Sequence, residues 1–236
     1  MPELNDFAQP VGDPVPGWGP RQPAVAVRLE GRYVMLEPLA RSHAAQLYDA
    51  LCAPEDLPLW TYRPTEPPAD VAGMEALVDA TLAAPGLETM VLRPGGGPAA
   101  GLASLTRIDP ATGQAEVAGV LYARSLQRTR AATEAIHLLA RHVFETLGYR
   151  RFEWKCDSLN EPSRRAARRL GFVYEGRFRQ HMVVKGRNRD TDWFSITDGE
   201  WPAVRRAHEQ WLDPANFDAD GRQRSSLGDV VGGQSG

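Results

Sequence analysis

Cysteine is scarce in this chain of 236 residues, which contains only Cys52 and Cys156. Two cysteines are too few for a disulfide scaffold, and their positions lack the paired spacing of a zinc ribbon. This scarcity favours a reducing, cytoplasmic location. Histidine is also scarce, and His137 and His142 point to different faces of a predicted helix, so no metal site is expected.

Long apolar runs are missing as well. No segment approaches the roughly 18 to 20 apolar residues of a membrane helix, and the acidic, proline-rich N-terminus does not resemble a signal peptide. Neither charge is in large excess, since 27 Lys and Arg against 30 Asp and Glu give a net charge of -3. Duplex nucleic acid needs a basic surplus on one face. We therefore expect neither a membrane nor a nucleic acid as partner, whereas an anionic small ligand stays open.

What the chain does contain is an ordinary globular composition, with 42% hydrophobic and 24% charged residues. Residues 1–24 are rich in proline and predict an extended arm, either lying on the domain or loose in solvent. Residues 25–220 form the predicted folded unit. Residues 221–236 have the Gly and Ser composition of a flexible tail.

The first half of the folded unit predicts two helices and four strands. A strand over 32–39 leads into a helix over 42–51, for which Ser42 is the expected N-cap. A second helix is predicted from Asp70 to about Ala84. Apolar runs separated by Gly and Pro turns then predict a three-stranded antiparallel meander over 87–123.

The second half begins with the strongest helical pattern, over residues 130–147, which Gly148 is placed to end. A strand over 150–157 follows, and a strand, helix and strand in succession imply a crossover with at least one parallel pair. A short helix ending at Gly171 comes next. A hairpin turning through residues 186–191 and a helix over 201–212 complete the unit.

The start of the long helix is a candidate anion site. The first backbone N–H groups of a helix have no partner within it, and the helix dipole places positive charge there, so a pyrophosphate would bind well. Small side chains would let a ligand approach the backbone, and arginines and hydroxyls add donors. An ordinary helix start with solvated arginines explains the same residues. They are Gln127, Arg128, Thr129, Arg130, Ala131, Ala132 and Thr133.

Three motifs resemble the GNAT N-acetyltransferase superfamily, in its branch related to ribosomal-protein-alanine N-acetyltransferases. QRTRAATEA (127–135) is similar to the pyrophosphate loop that opens the long helix of that family. LGYRRFEWKCDSLNEPSRRAARRLGF (147–172) resembles the following strand and short helix. YVMLEPLARSHAAQLYDAL (33–51) resembles the first strand and helix.

The resemblance implies an α/β (α+β) fold, with a mixed sheet in which an antiparallel meander precedes a strand-helix-strand crossover with a splayed cofactor cleft. It implies an acetyl-CoA-dependent N-acetyltransferase, an enzyme in which a primary amine attacks the thioester directly in a ternary complex. The implied cofactor residues are Gln127 to Thr133 together with Asn160 and Ser163. Asn160 has an alternative role as the N-cap of the short helix.

Two positions depart from the family pattern. Arg130 stands where the loop has its central glycine, and Ala167 stands where many members carry a tyrosine that protonates the leaving thiolate. That task would pass to Ser163. These departures keep an alternative open, in which the domain binds acyl-CoA without catalysis.

The remaining catalytic expectations concern the strand near residues 115–123. A backbone N–H near Ala118 to Val120 would hold the oxyanion, and Gly119 is a predicted bulge residue. Glu116, on the same strand face as Ala118 and Val120, is the candidate base, directly or through a water molecule. A structural glutamate at the start of a strand is an equal alternative.

The acceptor amine would be a small molecule or a peptide or protein N-terminus. Trp60, Tyr62 and Trp193 are candidates to line its pocket, although large aromatic residues more often belong to the core. Asp190 and Asp192 either attract a cationic amine or form the hairpin turn. The sequence leaves the acceptor open, and it is compatible with a monomer or a homodimer.

Overall fold

The computed structural model describes residues 3–232. An eight-stranded mixed sheet organises the chain, and a separate hairpin lies near the N-terminus. The strands are β1 (Glu3–Leu4), β2 (Pro10–Val11), β3 (Leu29–Glu30), β4 (Val34–Pro38), β5 (Glu88–Pro94), β6 (Gly101–Asp109), β7 (Gln114–Tyr122), β8 (Arg151–Asp157), β9 (Val173–Val184) and β10 (Arg187–Thr197). The helices are α1 (Ala44–Leu51), α2 (Val71–Leu82), α3 (Arg130–Arg141), α4 (Glu161–Arg169), α5 (Trp201–Leu212) and α6 (Leu227–Gly232).

The order of strands in the large sheet is β3-β4-β5-β6-β7-β8-β10-β9. All neighbours are antiparallel except β7 and β8, which are parallel, as the predicted crossover requires. Their register runs from Gln114 opposite Arg151 to Val117 opposite Trp154 and goes no further. Beyond that point the two strands separate. The predicted fold class, with its meander, crossover and splayed cleft, is confirmed.

Each face of the sheet has its own apolar core, because strand residues alternate between the faces. We call the face covered by α1 and α2 the front face; its core includes Leu47, Val91 and Leu121. The back face is covered by α3, α4 and α5, and its core includes Ile136 and Phe152. In the described part of the chain, the front face over β8, β9 and β10 carries no helix.

A bulge at Gly119 changes which side chains of β7 face the front. Gly119 has φ +62°, and the register with β6 shifts between the pairs Ser104–Ala118 and Leu102–Leu121. The extra residue places Leu121 in the front core and Val120 against the back core. The expected bulge is therefore present, but the expectation that Val120 shares a face with Glu116 is wrong.

Two local predictions also need correction. Ser42 does not cap α1, because a 3-10 turn over Arg41–His43 precedes the helix and the His43 ring accepts a hydrogen bond from the Ala40 N–H (3.0 Å). The turn of the β9–β10 hairpin is only Lys185 and Gly186, both with positive φ, so residues 187–191 belong to β10. A two-residue turn with positive φ at both positions matches the twist of paired strands.

The N-terminal arm lies on the domain. The Trp18 indole N–H donates to the Ala111 carbonyl (2.9 Å), and Arg21 Nε donates to the Gly148 carbonyl (3.1 Å). The Tyr149 hydroxyl donates to the Gln22 carbonyl (2.9 Å). Of the two alternatives that the composition left open, the structure has the docked arm.

The last described residues differ from a flexible tail. They include α6, and Leu227 is 0% exposed within the back core. The physical reason is that Leu227, at the start of this short helix, is buried beside α5. The high Gly and Ser content of the segment gives no sign of this contact. Residues 233–236 lie outside the described residues. The predicted boundaries of the folded unit at residues 24 and 220 stay a prediction.

Within residues 3–232, no helix combines the length and apolarity of a membrane span.

The back core also buries imidazole rings between α3 and α5. His137 and His208 lie 5.5 Å apart between ring centroids, and His137 packs against Trp201 at 5.8 Å. Burial lowers the pKa of His137 to about 4 and that of His208 to about 3, from an ordinary value of 6.5. Both rings are therefore neutral in the folded protein at neutral pH.

We expect these histidines to make the fold sensitive to acid. Below pH 6.5 the imidazole of His137 binds a proton in the unfolded chain, whereas in the folded protein it binds one only near pH 4. Between these two pH values the free energy of unfolding should therefore fall by about 1.4 kcal/mol per pH unit. His137→Phe should flatten this decline by that amount. Urea unfolding at several pH values measures it, and parallel curves for the two proteins would contradict the assignment.

Candidate functional site

The site is the cleft that opens where β7 and β8 separate. Pairing ends at Val117 and Trp154, so the strand edges beyond these residues face each other without a ladder. The start of α3 lies at the back of this cleft and the bulge at Gly119 on its β7 side. An edge of unpaired N–H and C=O groups is suited to a ligand that itself carries amides.

At the start of α3, a run of backbone N–H groups has no acceptor in the described chain. The Thr129 side chain accepts from the Ala132 N–H (3.2 Å), and the Thr133 N–H reaches the Thr129 carbonyl (3.4 Å). The N–H groups of residues 128–131 make no such bond within residues 3–232. Arg128 has φ +60°, which curves the chain into a concave loop. This cradle fits a pyrophosphate.

Three predicted side chains around the cradle have specific positions. The Arg130 guanidinium stacks on Tyr33 (4.8 Å) and Phe217 (4.6 Å), so the arginine at the glycine position of the loop is held by aromatic rings. The Gln127 amide donates to the Tyr122 carbonyl (3.0 Å). The Thr133 hydroxyl is buried and accepts from Arg169 (3.1 Å), which ties α3 to α4. The backbone, rather than these three side chains, forms the cradle.

On the β8 side, Asn160 and Ser163 occur together at the start of α4. Asn160 caps the helix, since its Oδ1 accepts from the Ser163 N–H (3.2 Å). The Trp154 indole N–H donates to Ser163 Oγ (3.0 Å). An indole can only donate, so this bond occupies a lone pair of the hydroxyl and leaves its proton available. Trp154 thus fixes the position of the Ser163 oxygen, and the thiol of Cys156 lies beside the same hydroxyl.

Glu116 lies on the front face of β7, beside the end of the parallel pairing. It is 1% exposed, and its Oε2 lies 2.9 Å from Lys155 Nζ and 3.7 Å from Arg107 Nε. Burial raises the pKa of Glu116, an effect that Lys155 opposes. The carboxylate therefore belongs to a compact ion cluster with Glu153 as its nearest acidic neighbour.

An open cavity of about 410 Å³ lies on the same face, next to this cluster. Trp193 forms part of its floor, and Phe178 and His181 lie against that ring at 5.1 and 6.2 Å between centroids. Charged groups of both signs complete the lining. They are Arg107, Arg151, Glu153 and Glu175.

Comparison with known proteins identifies the fold. The profile of the acetyltransferase (GNAT) domain family matches residues 34–173. The chain belongs to the GNAT acetyltransferase family. It is therefore an acyltransferase, and the family implies acetyl transfer from acetyl-CoA.

Individual GNAT proteins extend this result. A GCN5-related N-acetyltransferase of Brucella melitensis is 43% identical, with 92% of this chain and 100% of that chain covered and a TM-score of 0.90. The Bacillus subtilis protein named "Putative ribosomal N-acetyltransferase YdaF" is 31% identical over 101 residues, 43% of this chain. The matched region spans 55% of that relative. The acetyltransferase MccE, solved with acetyl-CoA and AMP, shares the fold at 20% identity over 71% of this chain and 93% of that chain, with a TM-score of 0.62.

Within this GNAT fold, the three aromatic residues predicted for the acceptor pocket lie in three different places. Trp193 lines the open cavity. Trp60 is a front-core residue whose indole N–H donates to the Leu51 carbonyl (2.9 Å). Tyr62 is partly exposed, and its hydroxyl donates to the Leu159 carbonyl (2.9 Å).

Each of the two aspartates has partners within the protein, and neither lines the open cavity. Asp192 is 0% exposed and forms ion pairs with Arg177 (2.6 Å) and Arg164 (2.8 Å). Asp190 Oδ1 accepts from the Gln180 N–H (2.8 Å) and from the Asn188 amide (3.0 Å). Both carboxylates hold the hairpin from within β10 and neither lies in its turn, so the expected turn role is wrong, and attraction of a cationic amine stays a prediction.

Sequence reasoning missed the cationic members of the site. Lys155 and Arg107 contact Glu116, yet they occur in strands whose charged residues normally face solvent. Arg63, in the segment before α2, also lies beside Gly119. The alternation of Arg151, Glu153 and Lys155 along β8 was the available signal, because it places these charges on one face.

We expect Ala132→Glu to weaken acetyl-CoA binding, because a carboxylate beside the cradle would repel the pyrophosphate. Like charges in contact cost several kcal/mol, so the affinity for acetyl-CoA should fall at least about 100-fold. Ala76→Glu, at an exposed position of α2, is the matched control. The rise in melting temperature with acetyl-CoA measures binding. Equal stabilisation of both variants would place the pyrophosphate elsewhere.

Proposed function

We propose that this GNAT enzyme transfers the acetyl group of acetyl-CoA to a primary amine by direct attack in a ternary complex. The observation that carries the proposal is the cleft itself: the free N–H groups of residues 128–131 lie behind it, and it meets an open, charged cavity at the front. Donor and acceptor would therefore meet from opposite faces of the sheet.

The cradle at α3 would hold the pyrophosphate, and Asn160 would bind the pantetheine amide through its free amide nitrogen while capping α4. Acetyl-CoA supplies an activated thioester carbonyl when bound. The backbone around Gly119 would donate to the carbonyl oxygen as negative charge develops there. Ser163, oriented by Trp154, would donate its proton to the departing thiolate.

Glu116 would accept the proton of the attacking amine, directly or through a water molecule. Its raised pKa brings its basicity closer to that needed at neutral pH. The neighbouring Lys155 opposes this rise in the pKa and would disfavour a protonated amine close by. Small-molecule amines and protein N-termini both satisfy this chemistry.

A second candidate is a GNAT domain that binds acyl-CoA without catalysis, motivated by Arg130 and Ala167. The argument from Arg130 is weakened because its guanidinium stacks on Tyr33 and Phe217, so the loop accommodates the arginine. Thiol release and acetylated product, measured with a broad panel of amines and peptides, distinguish the two. Binding of acetyl-CoA with no product from any acceptor would favour the non-catalytic domain.

Glu116→Gln tests the base. The amide keeps the shape but loses the basicity, so turnover should fall by about 10²- to 10⁴-fold at neutral pH with acetyl-CoA affinity nearly unchanged. The deficit should shrink at high pH, where the amine is already deprotonated. Glu153→Gln, on the next strand, is the matched comparison, and a larger pH-dependent loss in that variant would transfer the role to Glu153.

A further inference from the structure

A short segment crosses the front of the cleft and is tied to both of its sides. Residues 60–66 lie between α1 and α2 in the chain and extend from these helices toward β8. The Tyr62 hydroxyl donates to the Leu159 carbonyl (2.9 Å), in the loop between β8 and α4. Lys185, at the turn of the β9–β10 hairpin, donates to the Trp60 carbonyl (3.1 Å) and pairs with Glu66 (3.0 Å). We call residues 60–66 the strap.

Arg63 is the residue of the strap that reaches the reaction centre. A Cβ placed on Gly119 would lie 3.6 Å from one terminal nitrogen of the Arg63 guanidinium. The residue as a whole is half-buried, but its Nε is fully buried and has no hydrogen-bond partner among the described residues. Within residues 3–232, no carboxylate lies within 4.0 Å of the guanidinium, whereas nearby Arg124 pairs with Asp56 at 3.0 Å.

An unpaired cation in this position is costly. Burial lowers the pKa of Arg63, which reports the loss of hydration around the guanidinium. Arginine nevertheless stays charged in proteins, so the site keeps its positive charge. Buried charges are normally paired. A ligand that brings an anionic group to this place would satisfy the charge that the protein leaves open.

Two hydroxyls face the same space. Thr89 Oγ1 and Ser104 Oγ are 2.7 Å apart, and Ser104 Oγ would lie 3.1 Å from a Cβ on Gly119. Their mutual hydrogen bond uses one hydroxyl proton and leaves the other to be donated. Arg63, Thr89, Ser104 and Gly119 line a cavity of about 70 Å³ beneath α1 and α2. Most of the remaining lining is apolar, so these donors form a polar end of the cavity, and that end suits a carboxylate.

We propose that Arg63, with Thr89 and Ser104, binds a carboxylate of a substrate beside Gly119. The inference rests on the proposed function, because it makes the bulge the place of acetyl transfer. Either the acceptor amine carries the carboxylate, as a free amino acid does, or the acyl chain of the donor carries it. A peptide N-terminus would present an uncharged amide here and its ammonium would be repelled by the guanidinium.

The two sources are separated by two series of substrates. With acetyl-CoA as donor, each free amino acid is compared with its amide. With one uncharged amine as acceptor, succinyl-CoA is compared with butyryl-CoA, which has the same number of acyl carbons and no carboxylate. In one of the two series, kcat/KM should be higher for the substrate that carries the carboxylate than for its uncharged counterpart. Arg63→Gln should reduce that preference about 10- to 100-fold, the usual range for a hydrogen bond to a charged group.

Arg41→Gln is the matched control, because Arg41 is an exposed arginine of the same helical layer that pairs with Glu75 and Asp79. It should leave the preference unchanged. Arg63→Lys should retain part of it, since the charge remains and the planar fork is lost. Melting temperatures of the variants without ligand establish that each is folded.

Equal kcat/KM for both members of each series in the wild-type protein would overturn the carboxylate site while leaving acetyl transfer intact. If no amine is acetylated, the proposed function fails, and binding then decides the inference. Free amino acids or succinate, added with CoA, should raise the melting temperature of the wild-type protein and not that of Arg63→Gln. No such difference would overturn the site.

Discussion

The early end of one strand pairing determines the rest of this structure. β7 and β8 are the only parallel neighbours in the described sheet, and they pair over four positions before they diverge. A parallel pair needs a crossover, and α3 supplies it, so the start of that helix lies directly behind the gap. The crossover thus brings the free N–H groups at the start of α3 to the place where the strand edges are unpaired.

Charge is distributed unevenly around this gap. At the back, the free backbone N–H groups and the dipole of α3 provide positive potential. At the front, Glu116, Lys155, Arg107 and Glu153 neutralise one another within a few ångströms. Arg63 is outside this cluster, and its Nε has no hydrogen-bond partner within residues 3–232. Such a division gives each substrate a different electrostatic environment on its own side of the sheet.

Local periodicity was sufficient for much of the fold. The helical pattern over 201–212 matches α5, and the alternation over 150–157 matches β8 within one residue. The start of α4 could also be read from Asn160 and Pro162, because capping depends on neighbours in sequence. The parallel pair followed from the order of elements rather than from any one residue.

The remaining features depend on contacts between distant segments. Arg63 lies in a loop without periodicity, and its significance comes from the absence of a partner, which only the tertiary structure shows. Asp192 reads as a turn residue until Arg164 and Arg177 are seen to enclose it. Residues 221–232 are attached to the domain through Leu227, which is buried in the back core. Composition cannot reveal this contact.

The strap has a mechanical consequence. The strand pairing between the two halves of the sheet covers four residue pairs, and the back core continues across this seam. At the front, where β7 and β8 no longer pair, the contacts from Tyr62 to Leu159 and from Lys185 to Glu66 connect the α1–α2 side to the β8–β10 side. The gap is therefore spanned at the front by side-chain contacts of the strap and closed at the back by apolar packing.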